Sequence, residues 1–351
     1  MKKIFLILFL FSTILNNIYA KEIQHKKHPK HKPQQKNQHK HTKRHYQNKI
    51  KSISPINTNT NTDELLISQL NESKNLDTKI SNIETNNNQF PNLNTMKRIK
   101  NLRLYSYSAI VINAKNGDVI INKNSTLPLP IASITKLMTA MVVLDSNVNL
   151  DDYVTITNDD IDTIKNTYSR LRVGMSLSRR DLLLLALMSS ENRATHALAR
   201  TTFQGGINAF INKMNAKALQ LQMYNTKFYD PTGLTYRNTS TAYDLVRMVQ
   251  KAYEYDEIKI DTTTKNANVM FNPRYVHKYV NSDALVRQNN NRMNIKLSKT
   301  GFINEAGHCL VLYTMIENKP IIMAFLNSSG KSGRLLDALT VKAYIEKDDT
   351  I

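Results

Sequence analysis

The chain has 351 residues, 48 Lys and Arg against 28 Asp and Glu, a formal net charge of +20, one cysteine and no tryptophan. That length suits one large or two modest domains with a real hydrophobic core. The single thiol, Cys309, excludes an internal disulfide scaffold and a cysteine zinc finger, and whether the charge marks a nucleic-acid binder depends on where it sits.

Residues 1–20 place Lys2 and Lys3 ahead of an apolar run from Ile4 to Leu15 and end on the small residue Ala20. This is the pattern of a cleaved secretory signal peptide; a retained membrane anchor is the alternative, and the run is shorter than the roughly 20 residues a span needs. Residues 21–51 carry eleven Lys or Arg, Glu22 as the one acid, and six of the nine histidines. So polar a segment cannot bury enough apolar surface to offset the entropy of ordering, so disorder is expected. Its open uses are an extended spacer, a tether to an anionic wall or lipid polymer, and a weak transition-metal sponge through neutral histidine. Residues 52–95, rich in Asn, Ser and Thr, read as a linker, with a short amphipathic helix through Leu66, Leu70, Leu76, Ile80 and Ile83 as the alternative. Half of the net charge thus belongs to 21–51. Residues 96–351 form the one folded domain, and they do not interleave basic with aromatic residues as a single-strand nucleic-acid groove does, so no nucleic-acid partner is expected.

The texture changes near Tyr105. Alternation on either side of Asn116-Gly117 predicts antiparallel strands over about 106–113 and 118–123. Ile134, Leu137, Met138, Met141 and Val142 then recur at helical spacing, predicting a core-facing helix from Ala132 or Ser133. Ser178, with Asp181 three residues on, caps a second helix whose run Leu182 to Met188 is apolar all round, as in a fully buried helix. Strands return at IKLSKTGF, HCLVLYTMI and PIIMAFLN, and GRLLDALTVKAYIEK is again helical. Strands at both ends of a helical middle predict an α+β fold, an antiparallel sheet assembled from both ends of the domain and flanked by helices on both sides.

Three polar motifs stand at element boundaries. In Ser133-Ile134-Thr135-Lys136, serine and lysine at i and i+3 share a helix face, so the ammonium can approach the hydroxyl. A helix start also offers free N–H groups to a developing oxyanion. Ser190-Glu191-Asn192 interrupts two helical segments, and Lys299-Thr300-Gly301 lies on a strand whose glycine lets a substrate backbone come close. Singly such motifs are common: Ser328 to Lys331 repeats the first and Ser73-Lys74-Asn75 the second. Their joint order, with gaps of 57 and 109 residues, is far more specific.

With PIASITKLMTAMVVLD, SRLRVGMSLSRRDLLLLALMSSENRA, FYDPTGL, STAYDL and SKTGFINEAGHCLV around them, these motifs make residues 105–346 resemble the low-molecular-mass penicillin-binding proteins, and within these the penicillin-binding protein 7 type D-alanyl-D-alanine endopeptidases. The resemblance implies a serine β-lactamase/D,D-peptidase-like fold with a helical subdomain, and a periplasmic hydrolase of peptidoglycan stem peptides that β-lactams acylate. It implies no cofactor and no metal. Ser133 would be the nucleophile, Lys136 its base and Ser190 the proton relay to the leaving amine. Asn192, Lys299, Thr300 and Gly301 would bind substrate, and the N–H groups of Ser133 and Phe302 would form the oxyanion hole. Lys299 would stay charged and help to keep Lys136 neutral. A chain ending soon after the Ala343 helix leaves no room for the β-rich domain that carboxypeptidases of the family append, which favours cleavage of D-alanyl-diaminopimelate cross-links over carboxypeptidase action. A β-lactamase is the next alternative, but FYDPTGL stands where its deacylating glutamate loop is expected; a non-catalytic wall-binding protein is the last. His196 and His308 read as structural and Cys309 as a buried small hydrophobe. Gly330-Lys331-Ser332 lacks the leading glycine of a phosphate loop, whose place Phe325 takes.

Overall fold

In the computed structural model, which describes residues 102–272, 275–288 and 293–347, the two ends of the domain meet in one sheet. The expected signal peptide, basic tail and linker lie outside the described residues. Strand β1 (Ser106–Asn113) turns into β2 (Val119–Lys123) through Gly117 at a φ of +76°. Strand β2 starts one residue later than expected, because the Asp118 N–H donates to Asn116 Oδ1 and the Asp118 carbonyl accepts from the Asn113 N–H. After β3 (Leu129–Pro130) comes a 3₁₀ turn, Ala132–Ile134, and only then α1 (Thr135–Asp145). The helix expected from Ala132 or Ser133 is delayed because Ala132 sits in the left-handed region, at φ +47°, which a right-handed helix cannot include.

The middle of the chain builds a helical layer. Strands β4 (Tyr153–Thr155) and β5 (Ser176–Ser178) pair at the base of a long loop and lead into α2 (Arg179–Met188). Its N-cap is the expected one, Ser178 Oγ accepting the Asp181 N–H at 3.0 Å. There follow α3 (Asn192–Thr202), α4 (Gly206–Gln220), β6 (Thr239–Ser240, paired with β3), α5 (Ala242–Ala252), α6 (Asp256–Thr263), the hairpin β7 (Asn266–Asn272) and β8 (Tyr275–Val280), and α7 (Ala284–Gln288). Strands β9 (Asn294–Ile303), β10 (Gly307–Ile316) and β11 (Lys319–Ser328) then form a meander, and α8 (Gly330–Ile345) closes the domain. The β10–β11 turn is Glu317-Asn318 with both φ values positive, +46° and +61°, the turn whose twist suits a hairpin.

The sheet order is β2-β1-β11-β10-β9, antiparallel throughout, with Ile110 opposite Ala324 and Val311 opposite Lys299. Alternation sends successive residues to opposite faces. Ile110, Ile112, Val311, Ile322 and Leu326 face the helical layer with Leu137, Met141 and Leu185, while Ala109, Val111, Leu312, Met323 and Phe325 pack under Val341 and Ile345 of α8. Each of the larger side chains contributes about 1.5–3 kcal/mol of burial, and Ile322→Ala would cost about 2–5 kcal/mol. The consequence for chemistry is that β9, at the end of the sheet, runs past the turn that carries Ser133.

Candidate active site

Ser133 projects from a turn that only a particular neighbour allows. The Asp230 carboxylate accepts N–H groups of Thr232, Gly233 and Thr235 at 2.6, 2.8 and 3.0 Å, folding the FYDPTGL segment back on itself. That brings Gly233, at φ +84°, so close to Ala132 that a Cβ there would lie 1.9 Å from the Ala132 carbonyl oxygen. On the other side, a Cβ on Gly301 would lie 2.8 Å from the Ile131 carbonyl oxygen and 3.2 Å from the Ser133 nitrogen. Two glycines therefore clamp the backbone on which Ser133 sits, and the strand glycine does so as its motif predicts.

Lys136, one turn along and 1% exposed, places Nζ 3.0 Å from Ser133 Oγ, 2.8 Å from Asn192 Oδ1 and 2.7 Å from the Thr232 carbonyl oxygen. Asn192 Oδ1 and the carbonyl can only accept, so Lys136 donates to both. Neutral lysine has two N–H groups and one lone pair; with both donors so engaged, the lone pair is left for the Ser133 hydroxyl. Burial lowers the Lys136 pKa to about 8, against the opposing pull of Asp230, Glu191 and Asp162.

Lys299, equally buried on β9, donates to Ser190 Oγ at 3.0 Å and to the Thr300 carbonyl at 3.1 Å. Burial first, then the Lys136 and Arg334 cations, holds its pKa well below the usual lysine range. The expectation that Lys299 is the charged partner and Lys136 the neutral one is therefore not what the electrostatics favour. Both ammoniums are disfavoured, Lys299 strongly so.

All three motifs meet at one place. Ser133, Lys136 and Asn192 form one hydrogen-bonded chain, Ser190 and Lys299 a second, and Gly301 abuts Ser133. Thr300 Oγ1 donates to Ser282 Oγ at 2.7 Å, and Phe302 follows Gly301 on the strand with its ring half-exposed and stacked on His308. Asn192, expected to touch substrate, spends its carbonyl on Lys136 and its amide on Thr167 Oγ1, at 2.9 Å. Sequence reasoning missed Thr167, the Thr232 carbonyl, Ser282 and Arg334, whose Nη1 donates to the Gly301 carbonyl at 3.0 Å. The Asp-Pro-Thr-Gly turn signal alone was available for one of them. His196 binds the buried Asp160 at 2.9 Å, and Cys309 is buried with its thiol pushed up to about 11 by desolvation.

A serine with a buried lysine one turn away, on an antiparallel sheet backed by a helical layer, defines an active-serine acyl-transfer enzyme. A family profile described as D-alanyl-D-alanine carboxypeptidase matches residues 95–330, and the chain belongs to that family, peptidase S11, of serine-type D-Ala-D-Ala peptidases. It is 46% identical over 244 residues to a D-alanyl-D-alanine endopeptidase of Pseudomonas aeruginosa, covering 69% of this chain and 78% of that one. To the D-alanyl-D-alanine endopeptidase of Escherichia coli it is 44% identical over 242 residues, with 69% and 77% covered. Among solved structures, the Streptomyces K15 DD-transpeptidase superposes with a TM-score of 0.64 at 28% identity, over 70% of this chain and 98% of that one. The expected α+β fold is thus found in both topology and likeness.

Proposed function

We propose that this protein is a penicillin-sensitive serine D,D-endopeptidase that hydrolyses D-alanyl-diaminopimelate cross-links of peptidoglycan in the periplasm, reached through a cleaved signal peptide. The observation that carries the chemistry is the buried Lys136 Nζ at 3.0 Å from Ser133 Oγ, where the neutral amine can take the hydroxyl proton. Ser133 Oγ attacks the D-alanyl carbonyl carbon as its proton passes to Lys136. The resulting oxyanion is held by the N–H groups of Ser133 and Phe302. As the C–N bond breaks, the proton that Lys136 took from Ser133 reaches the leaving amine through Ser190, which gives up its own proton and takes that one in exchange, leaving Lys136 neutral again, while Lys299 holds the Ser190 hydroxyl in place. Water, deprotonated at the same site, then attacks the ester, expels Ser133 Oγ and returns the enzyme to its starting state. Thr300 and Gly301 offer the β9 edge to the substrate, and Asn192 sets the orientation of Lys136.

The endopeptidase choice is supported by the likeness, at 44–46% identity, to the D-alanyl-D-alanine endopeptidases of Pseudomonas aeruginosa and Escherichia coli. The carboxypeptidase reading stays second, favoured by the family description. A fluorescent penicillin should label the wild type and not Ser133→Ala. Purified sacculi should then yield monomers from cross-linked dimers; release of terminal D-alanine alone would reject the endopeptidase reading. The basic segment 21–51 would hold the enzyme to an anionic wall or lipid polymer. Removing it should reduce sedimentation with sacculi at low salt and change little at moderate salt.

A further inference from the structure

The active-site groove is bridged twice between β9 and the helical layer. At its inner end Lys299 reaches Ser190. At its outer end Lys165, on the loop between β4 and β5, reaches Glu305 in the turn after β9, Nζ to Oε1 at 2.5 Å. The second bridge completes a ring of contacts: Ser133 to Lys136, Lys136 to Asn192, Asn192 to Thr167, along the loop to Lys165, across to Glu305, and back along β9 to Gly301, which touches Ser133. A substrate lying along β9 has the strand between the two bridges, five residues from Lys299 to Ile303, whose four steps span roughly 13 Å.

We propose that the Lys165–Glu305 ion pair is a releasable strap over the outer end of the groove, and that it sets how bulky a substrate reaches Ser133. The backbone of the loop is fixed independently of the pair. Asp162 accepts the N–H groups of Ile164, Lys165 and Thr167 at 2.8, 3.0 and 2.8 Å, and Thr167 is tied to Asn192. The Lys165 side chain crosses to Glu305 on a flexible four-carbon stem. With side chains 30% and 39% exposed, the pair is of the weakly held, salt-sensitive kind. Opening therefore needs a rotamer change and no movement of the catalytic groups. Small acyl donors pass beneath the closed strap, whereas a donor with a large side chain, or a cross-linked stem dimer, must wait for it to open. The dimer arm rests on the endopeptidase reading; the strap itself does not.

The test compares acylation of the full chain by two penicillins, one with a compact side chain and one carrying a bulky fluorophore, in wild type, Lys165→Ala, Glu305→Ala and the exchanged pair Lys165→Glu with Glu305→Lys. Either alanine variant should raise the bulky-to-compact rate ratio by up to about fivefold, and the exchanged pair should return it toward wild type. Higher salt should raise the ratio in wild type and leave the alanine variants unmoved. An unchanged ratio, an equal change for both probes as expected of a merely structural contact, or an exchanged pair that behaves like the alanines would overturn the strap. Cleavage of stem dimers is measured in parallel: wild type that is acylated yet cuts no dimer defeats the endopeptidase reading, while the strap is judged on the ratio alone.

Discussion

Lys299 Nζ donates to Ser190 Oγ at 3.0 Å, joining residues 109 apart in the chain, and Ser190 is held at φ +63°, a left-handed backbone that side chains other than glycine adopt at a cost. Ser190 lies in the break between α2 and α3, where its hydroxyl meets Lys299 of β9. Ser190→Ala removes the only hydroxyl at that bridge, and acylation by a fluorescent penicillin should fall by about 10²–10⁴-fold while circular dichroism stays native. Ser190→Gly should be as inactive but melt at a higher temperature than Ser190→Ala, since glycine relieves the backbone cost. Equal melting points would mean that the left-handed turn stores no strain.

Gly233 makes a sharper demand. Its Cβ would lie 1.9 Å from the Ala132 carbonyl oxygen, too close for any rotamer to relieve, and its φ of +84° penalises a side chain as well. Gly233→Ala should cost at least about 2 kcal/mol in urea unfolding. Penicillin labelling should drop further than that loss accounts for, because the displaced backbone is the one that presents Ser133 and carries the Thr232 carbonyl bound to Lys136.

Those two residues also mark where the sequence could and could not be read. The sheet, the Ser178 cap and the buried α2 follow from alternation, cap chemistry and periodicity, all local signals. The trio Ser133, Ser190 and Lys299 was legible because three short motifs stand in one order at gaps of 57 and 109 residues and resemble those of a known family. What was not legible was created by folding. The positive φ of Ala132 has no residue-type signal, so α1 begins later than periodicity suggests. The acceptor for Lys136 from Asn192, the Thr232 carbonyl and the Arg334 contact to Gly301 join segments that are 33 to 96 residues apart. The relative acidity of the two lysines likewise depends on burial and on Arg334, neither of which spacing reveals.

Asp160 anchors the loop that bears the strap. Its fully buried carboxylate accepts from His196 Nδ1 at 2.9 Å, Arg200 Nε at 3.0 Å and the Thr157 N–H at 2.8 Å. Burial alone would raise its pKa, but the His196 and Arg200 bonds outweigh it and hold the group at about 2. A carboxylate depressed in the fold contributes stability that is present above its unfolded pKa, about 3.9, and lost as pH falls from there through about 2. Asp160→Asn should therefore cost roughly 3 kcal/mol near neutrality and flatten the decline of the melting temperature across that acid window. A variant that melts like wild type at neutral pH would show that the cluster adds nothing to the fold.

The pH dependence of acylation tests the base directly. Lys136 is lowered by burial from 10.5 to about 8. The unfolded chain therefore binds more protons than the native one between those values, and this group's contribution to stability rises with pH across that window. Acylation needs the neutral amine, so its rate should climb about tenfold per pH unit below the Lys136 pKa and level off above it. Glu191 is one of the anions that oppose the shift, and its side chain also caps α3 by accepting the Arg193 N–H at 3.3 Å. Glu191→Gln keeps an accepting oxygen for the cap and removes the charge. The acylation midpoint should then move to lower pH, with the plateau rate and the melting temperature little changed. A midpoint that stays put would mean that the ionisation limiting acylation belongs to another group, and Lys136 would lose its place as the base.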